Sequence, residues 1–317
     1  MHTFFLLSSL LLAAVISVSG ASVLRLLPVG GRRSAALAVL GLPPTVVLLG
    51  VSHLVPRFWE DFAPLVGWDR IASFSLLGLL GAMGLGALGL NLARLAVVDR
   101  LLPACSALGD PVVRADTEAL AARLGVRTPC VRILRSAAPL AAAGGLWQSN
   151  IVLSTWLLEH LDRDELESVL THELAHLVRR DYLLRWLARL LRDATAYLPG
   201  SWYALRALED DEELAADVLA VGATRQPLAM ASALGKVWRA VTAPQNAGFA
   251  GLPAYAATSA ELLEQRLNRL LDGDARPGSV LPGRALAGMS ILSVGALAPR
   301  LLALSAAALP LMCTLRY

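Results

Sequence analysis

Two histidines and a glutamate, His172, Glu173 and His176, are the residues of this chain best suited to chemistry. The stretch His172-Glu173-Leu174-Ala175-His176 has the form HExxH. With five His and 11 Glu among 317 residues, chance alone gives that pattern about 0.003 times per chain of this length, so it is not accidental. Residues four apart on an α-helix project from one side, one turn above the other. The His172 and His176 imidazoles can therefore bind a single Zn²⁺ ion. Glu173 is next around the helix and is placed to act as general base toward a water activated there. A catalytic zinc takes a third protein ligand and keeps one position open. The acidic run 209–217 supplies candidates. Glu213 and Asp217 are four apart on a second expected helix, with Glu209 one turn earlier. Glu213 is the expected ligand, with Glu209 and Glu212 as rivals. Asp217 is expected to accept the spare ring N–H of a liganding histidine and fix its orientation.

The surrounding pattern supplies the elements that must hold these groups. Asp162 as N-cap and Glu165 three residues later form a capping-box signature. Leu166, Val169, Leu170, Leu174 and Leu177 then recur at helical spacing, predicting a helix over 163–178 with one buried face. Asp181, after two arginines, reads as a helix-end salt bridge. Across 182–203, leucines and Trp186 fall on one side and Arg185, Arg189 and Arg192 on the other. That pattern fits an amphipathic helix lying on a leaflet or packed on the zinc helix. The strand-like 150–154 and the small residues of 140–145 read as a sheet edge to which an extended substrate could add.

The chain as a whole is apolar, with 56% hydrophobic and 17% charged residues and a mean hydropathy of +0.58. That excludes a disordered chain, and Cys105, Cys130 and Cys313 are too scattered for a disulfide scaffold or a thiolate zinc site. Eight charged side chains lie in 1–93 and two, Arg300 and Arg316, in 285–317. The remaining 43 lie in 94–284. The order is membrane, domain, membrane. Three runs, about 4–23, 34–55 and 71–93, are long and apolar enough to span a bilayer. The first lacks the positive start of a signal peptide and reads as a retained helix. The segment 285–317, interrupted at Pro299 and Arg300, is either one kinked span or a re-entrant hairpin. Arginines 25, 32 and 33 in the first loop outnumber Arg57 and Arg70 in the second, which places the first loop and the 94–284 domain on the cytoplasmic side of the plasma membrane. That domain carries no net basic charge, so direct nucleic-acid binding is not expected.

The combined motifs, HELAH at 172–176, Arg179-Arg180-Asp181 after it, and Glu213-Leu-Ala-Ala-Asp217, resemble the BlaR/MecR-type integral-membrane zinc peptidases. More distantly they are similar to the HtpX-type membrane peptidases. The stretch 138–154 resembles the β-hairpin that precedes the zinc helix in these families, and the likeness covers about 131–220. It implies a gluzincin-like site, with the Glu of ExxAD, here Glu213, as third ligand to one zinc per chain. The expected fold is a mostly α membrane protein. It has about four transmembrane helices and a cytoplasmic α+β zincin-like domain containing a small β-sheet. The resemblance implies a regulatory endopeptidase for signal transduction, an antirepressor whose substrate is a winged-helix transcriptional repressor. The best-known members carry a penicillin-binding sensor domain after the last span. This sequence stops at Tyr317, so direct β-lactam sensing within it is not expected. Two other readings stand beside this one: an HtpX-like quality-control protease, and a non-catalytic signalling or scaffold protein with a closed, four-ligand structural zinc.

Overall fold

The computed structural model describes residues 2–28, 31–52, 67–101, 106–107, 111–144, 149–242 and 260–272. The expected spanning segment 285–317, Cys105 and Cys313 lie outside them. The chain is mostly helical and divides into two compact units. One contains residues up to Leu92 together with Leu187–Leu208, and the other contains Ala93–Trp186 and Glu209–Gly278. Stretch 187–208 thus groups with the apolar helices, whereas the charge pattern had marked it with the central domain. Its leucines, Trp202 and Tyr203 make it a better match to an apolar environment than the acidic run that follows.

In the first unit, α1 (His2–Leu26), α2 (Arg33–Ser52) and α3 (Gly67–Leu101) form. Windows within them reach mean hydropathies of 2.2, 2.0 and 1.9, and each helix is long enough to cross a membrane. Large apolar side chains such as Phe4, Leu11, Leu48 and Leu85 face outward, as lipid-contacting surface does. Helix α2 continues through Pro43 and Pro44. Helices α1 and α2 run antiparallel in close contact: a Cβ at Gly20 would collide with Val39, and one at Gly50 with Ser9. Small residues permit this approach where lipid offers no hydrophobic drive. Asp69 of α3 accepts hydrogen bonds from the backbone N–H groups of His2 (3.2 Å) and Thr3 (3.0 Å), satisfying donors that the first turn of α1 leaves open. Leu198 packs on Ala13 and Val47, which ties 187–208 to this unit.

The second unit is built around a mixed sheet. Strands β1 (Ser106–Ala107), β2 (Cys130–Leu134), β3 (Ala141–Gly144) and β4 (Asn150–Ser154) lie in the order β1-β2-β4-β3. Strand β2 pairs in parallel with β4, Cys130 opposite Asn150. Strand β3 pairs antiparallel, Ala141 opposite Leu153, and forms an edge. Helices α4 (Pro111–Arg123), α5 (Thr155–His160), α6 (Arg163–Arg179) and α9 (Pro227–Thr242) surround the sheet. The core joins Leu120 of α4, Val131 of β2, Ile151 and Leu153 of β4, Leu157 of α5, Leu170 and Leu174 of α6 and Ala233 of α9. Helix α10 (Ala260–Leu271) adds buried Leu262, Leu263 and Leu270.

Helix α6 starts where its signature places it. Asp162 accepts from the Glu165 N–H at 2.9 Å, and the Glu165 side chain accepts from the Asp162 N–H at 2.9 Å. Glu165 is buried and also takes hydrogen bonds from Ser232 and Lys236 of α9, each at 2.6 Å. Leu170 and Leu174 face the sheet, so the opposite edge of α6 presents the histidines elsewhere.

Candidate metal centre

Three elements deliver the site. Helix α6 carries His172, Glu173 and His176. It ends at Arg180, a non-glycine residue in the left-handed region at φ 55° whose N–H closes on the His176 and Leu177 carbonyls. That one-residue turn starts α7 (Asp181–Ala194) at once, which returns Asp181 to His176. Helix α8 (Pro199–Thr224) carries Glu212, Glu213 and Asp217.

His172, His176 and Glu213 converge, one ligand atom from each lying within 4.8 Å of the others. The Nε2 atoms of the two histidines are 3.2 Å apart. His172 Nε2 is 3.3 Å from Glu213 Oε2, and His176 Nε2 is 3.7 Å from Glu213 Oε1. Zinc–nitrogen and zinc–oxygen bonds near 2.1 Å set the edge of a ligand tetrahedron at roughly 3.4 Å. The separations lie close to that edge, with His172 near one carboxylate oxygen of Glu213 and His176 near the other.

The far sides of both rings face carboxylates. His176 Nδ1 donates to Asp181 Oδ2 at 3.0 Å. His172 Nδ1 lies 2.9 Å from Asp217 Oδ1, ion-pair distance but off-axis for a hydrogen bond. These contacts place each ring's N–H on Nδ1 and turn each Nε2 lone pair inward, toward the other and toward Glu213. Such a convergence is unfavourable without a cation, and it is the donor set that zinc takes.

Charge tells the same story. Glu213 and Asp217 share the Arg266 guanidinium, and Glu212 and Glu213 share that of Arg185. Burial opposes ionisation of Glu213 and Asp217, but His172 and Arg266 hold both carboxyls below their usual range. Burial likewise disfavours an imidazolium at His172. The Asp217 and Glu213 carboxylates outweigh it and push the pKa up to about 10. At neutral pH without metal, a proton on His172 meets the site's demand for positive charge.

A pH dependence follows. The folded pKa of His172, near 10, lies above the ordinary 6.5. Protonation therefore stabilises the metal-free fold fully below about pH 6.5, and the effect fades as pH rises toward 10. Zinc must displace that proton, so its binding runs the other way. Between pH 6 and 9 affinity is expected to rise by about tenfold per unit. Calorimetry in buffers of different ionisation enthalpy should count about one proton released per zinc. A pH-independent affinity would overturn this account.

Glu173 is buried beside the two histidines, 8% exposed, and makes no hydrogen bond or ion pair with another described residue. Of the rivals to Glu213, Glu212 is fully buried and turned toward Arg185, whose Nε donates to it at 2.9 Å. Burial pushes its pKa up to about 7 against the pull of Arg185. Helical spacing puts Arg185 on the polar side of an amphipathic helix; its guanidinium instead turns inward, with Nη2 3.5 Å from Glu213. Asp181 does make the expected salt bridge, to Arg179 Nε at 3.0 Å, and its role on His176 goes beyond it. The spacing of an acid five residues after the second His was the available signal. For Arg266 there was none nearby: it reaches Asp217 and Glu213 from α10.

The chain is similar to known proteins over part of its length. Residues 134–229 match the family model for BlaR1 peptidase M56, the family that the motifs resemble. A Protease HtpX homolog of Pyrococcus abyssi is 36% identical over 106 residues, which is 32% of this chain and 37% of that protein. One from Thermococcus kodakarensis is 28% identical over 196 residues, 58% of this chain and 68% of that protein. One from Neisseria meningitidis is 44% identical over 66 residues, 20% of this chain and 24% of that protein. The match therefore spans much less than two thirds of the length of the Pyrococcus abyssi relative. The crystal structure of S. mikatae Ste24p covers 85% of this chain and 98% of its own, at 13% identity and a TM-score of 0.41.

Proposed function

We propose that this chain, whose residues 134–229 match the M56 peptidase model, is a membrane-embedded zinc endopeptidase. The observation that carries the reading is the convergence of His172, His176 and Glu213 beside an uncommitted Glu173. Zinc, when bound, supplies the Lewis acidity that polarises a scissile carbonyl and acidifies an attacking water. The residues do the rest. Asp181 and Asp217 hold the two imidazoles in orientation. Glu173 accepts a proton from the water and returns it to the leaving amine. Strand β3 forms an edge of the sheet, along which an extended substrate can lie.

In this reading the substrate is a cytoplasmic winged-helix repressor, and cleavage relieves repression at the plasma membrane. The support is the match to the BlaR1 peptidase. The likeness to HtpX homologs favours a second reading, a quality-control protease for misfolded membrane proteins. A closed structural zinc is disfavoured, because among the described residues only three side chains converge as ligands. The test uses the purified full chain in detergent, with a candidate repressor and with an unfolded membrane protein as substrates. Zinc-dependent cuts at one site in the repressor support regulation, and cuts throughout the unfolded protein support quality control. Failure to cut either, with zinc bound, overturns the peptidase reading.

A further inference from the structure

We propose that Arg266 of α10 is a positioning residue that aims two of the three zinc ligands, so that the centre reaches full affinity only with α10 in place. The proposal rests on the zinc reading above and adds an element outside the matched residues 134–229. One guanidinium spends three N–H groups on the site. Its Nε donates to Asp217 Oδ2 and its Nη2 to Asp217 Oδ1, both at 2.7 Å, and its Nη1 donates to Glu213 Oε2 at 3.2 Å. Asp217 Oδ1 in turn faces His172 Nδ1. Arg266 thus fixes Glu213 directly and His172 through Asp217. The rigid fork of arginine suits this double grip, whereas a lysine ammonium makes only point contacts. Arg266 is 5% exposed, and Glu173 also contributes to holding its charge. Helix α10 has its own apolar anchors in Leu262, Leu263 and Leu270, so it need not detach when the guanidinium is removed.

The sign of the effect separates positioning from simple charge. Arg266 is a cation beside a cation site. If it acted only through its charge, or only as a brace between helices, its removal would strengthen zinc binding or leave it unchanged. If it aims the ligands, removal weakens binding, by about 10–100-fold for a group that orients ligands. The experiment measures zinc affinity by chelator competition on full-length wild type, Arg266→Gln and Arg266→Lys in detergent. It adds the visible spectrum of the cobalt-substituted proteins and thermal unfolding of the metal-free forms. We expect Arg266→Gln to lose 10–100-fold in affinity, with weakened, shifted cobalt bands. Arg266→Lys should fall between it and wild type. Affinity equal to or tighter than wild type in Arg266→Gln overturns the proposal. Should Arg266→Gln not fold, Arg266→Lys, which keeps the charge, decides by the same criterion. Wild type that binds no zinc sinks the zinc reading itself, and the proposal with it.

Discussion

Glu173→Gln should lower kcat for peptide cleavage by about 10²–10⁴-fold, the usual span for losing a general base, while one zinc per chain stays bound. Glu173 lies between His172 and His176 in sequence, yet it is outside the group whose ligand atoms converge. The lone pairs that face a common point belong to His172, His176 and Glu213, so removing the Glu173 charge leaves the donor set intact. The amide is isosteric and can still accept a hydrogen bond, but it cannot take up the proton of an attacking water. The loss should therefore appear in kcat more than in KM, and metal analysis of the variant should match wild type. A variant that cleaves at the wild-type rate would show that the base lies elsewhere. One that loses its zinc would show that Glu173 is a ligand.

The part of the site that could be read from the sequence was the part encoded within one or two helical turns. His172 and His176 share a face because they are four apart, and Asp162 with Glu165 announced the start of α6 by local chemistry. Glu213 and Asp217 were legible for the same reason: their spacing puts both on one stripe of α8. The three apolar helices were legible from hydropathy, although α3 extends beyond the expected 71–93 to Gly67–Leu101. What stayed hidden was tertiary. Arg266 is 49 residues from Asp217, and no periodicity in α10 distinguishes an arginine aimed at a buried carboxylate from one in water. Arg185 was misread because helical spacing gives the angle of a side chain around its own axis and not what lies opposite. Here that is Glu212. Asp181 was half legible: its pairing with Arg179 follows from proximity in the chain, but its approach to His176 depends on the left-handed turn at Arg180. Non-glycine residues in that region give little sequence warning.

Glu213→Ala should lower zinc affinity by about 10²–10³-fold, more than any change among the groups that orient the ligands. Binding to a complete four-ligand structural zinc site is worth ~10–16 kcal/mol, so one protein ligand carries roughly 2.5–4 kcal/mol. Two features of this site push the loss toward the upper end. Without the carboxylate, Arg266 Nη1 and Arg185 Nη2, now 3.2 Å and 3.5 Å from it, become uncompensated cations beside the ion. Nor can the neighbouring acid take over, because Glu212 is fully buried and held by Arg185. Asp217→Ala should cost only about 10–100-fold, as expected for a group that orients a ligand. The two variants therefore rank in a fixed order by chelator competition, Glu213→Ala well below Asp217→Ala. A reversed order would mean that Asp217 contacts the metal and Glu213 supports it. Retention of zinc by Glu213→Ala together with its loss in Glu209→Ala would move the third ligand one turn earlier on α8, to the rival that the sequence also offered.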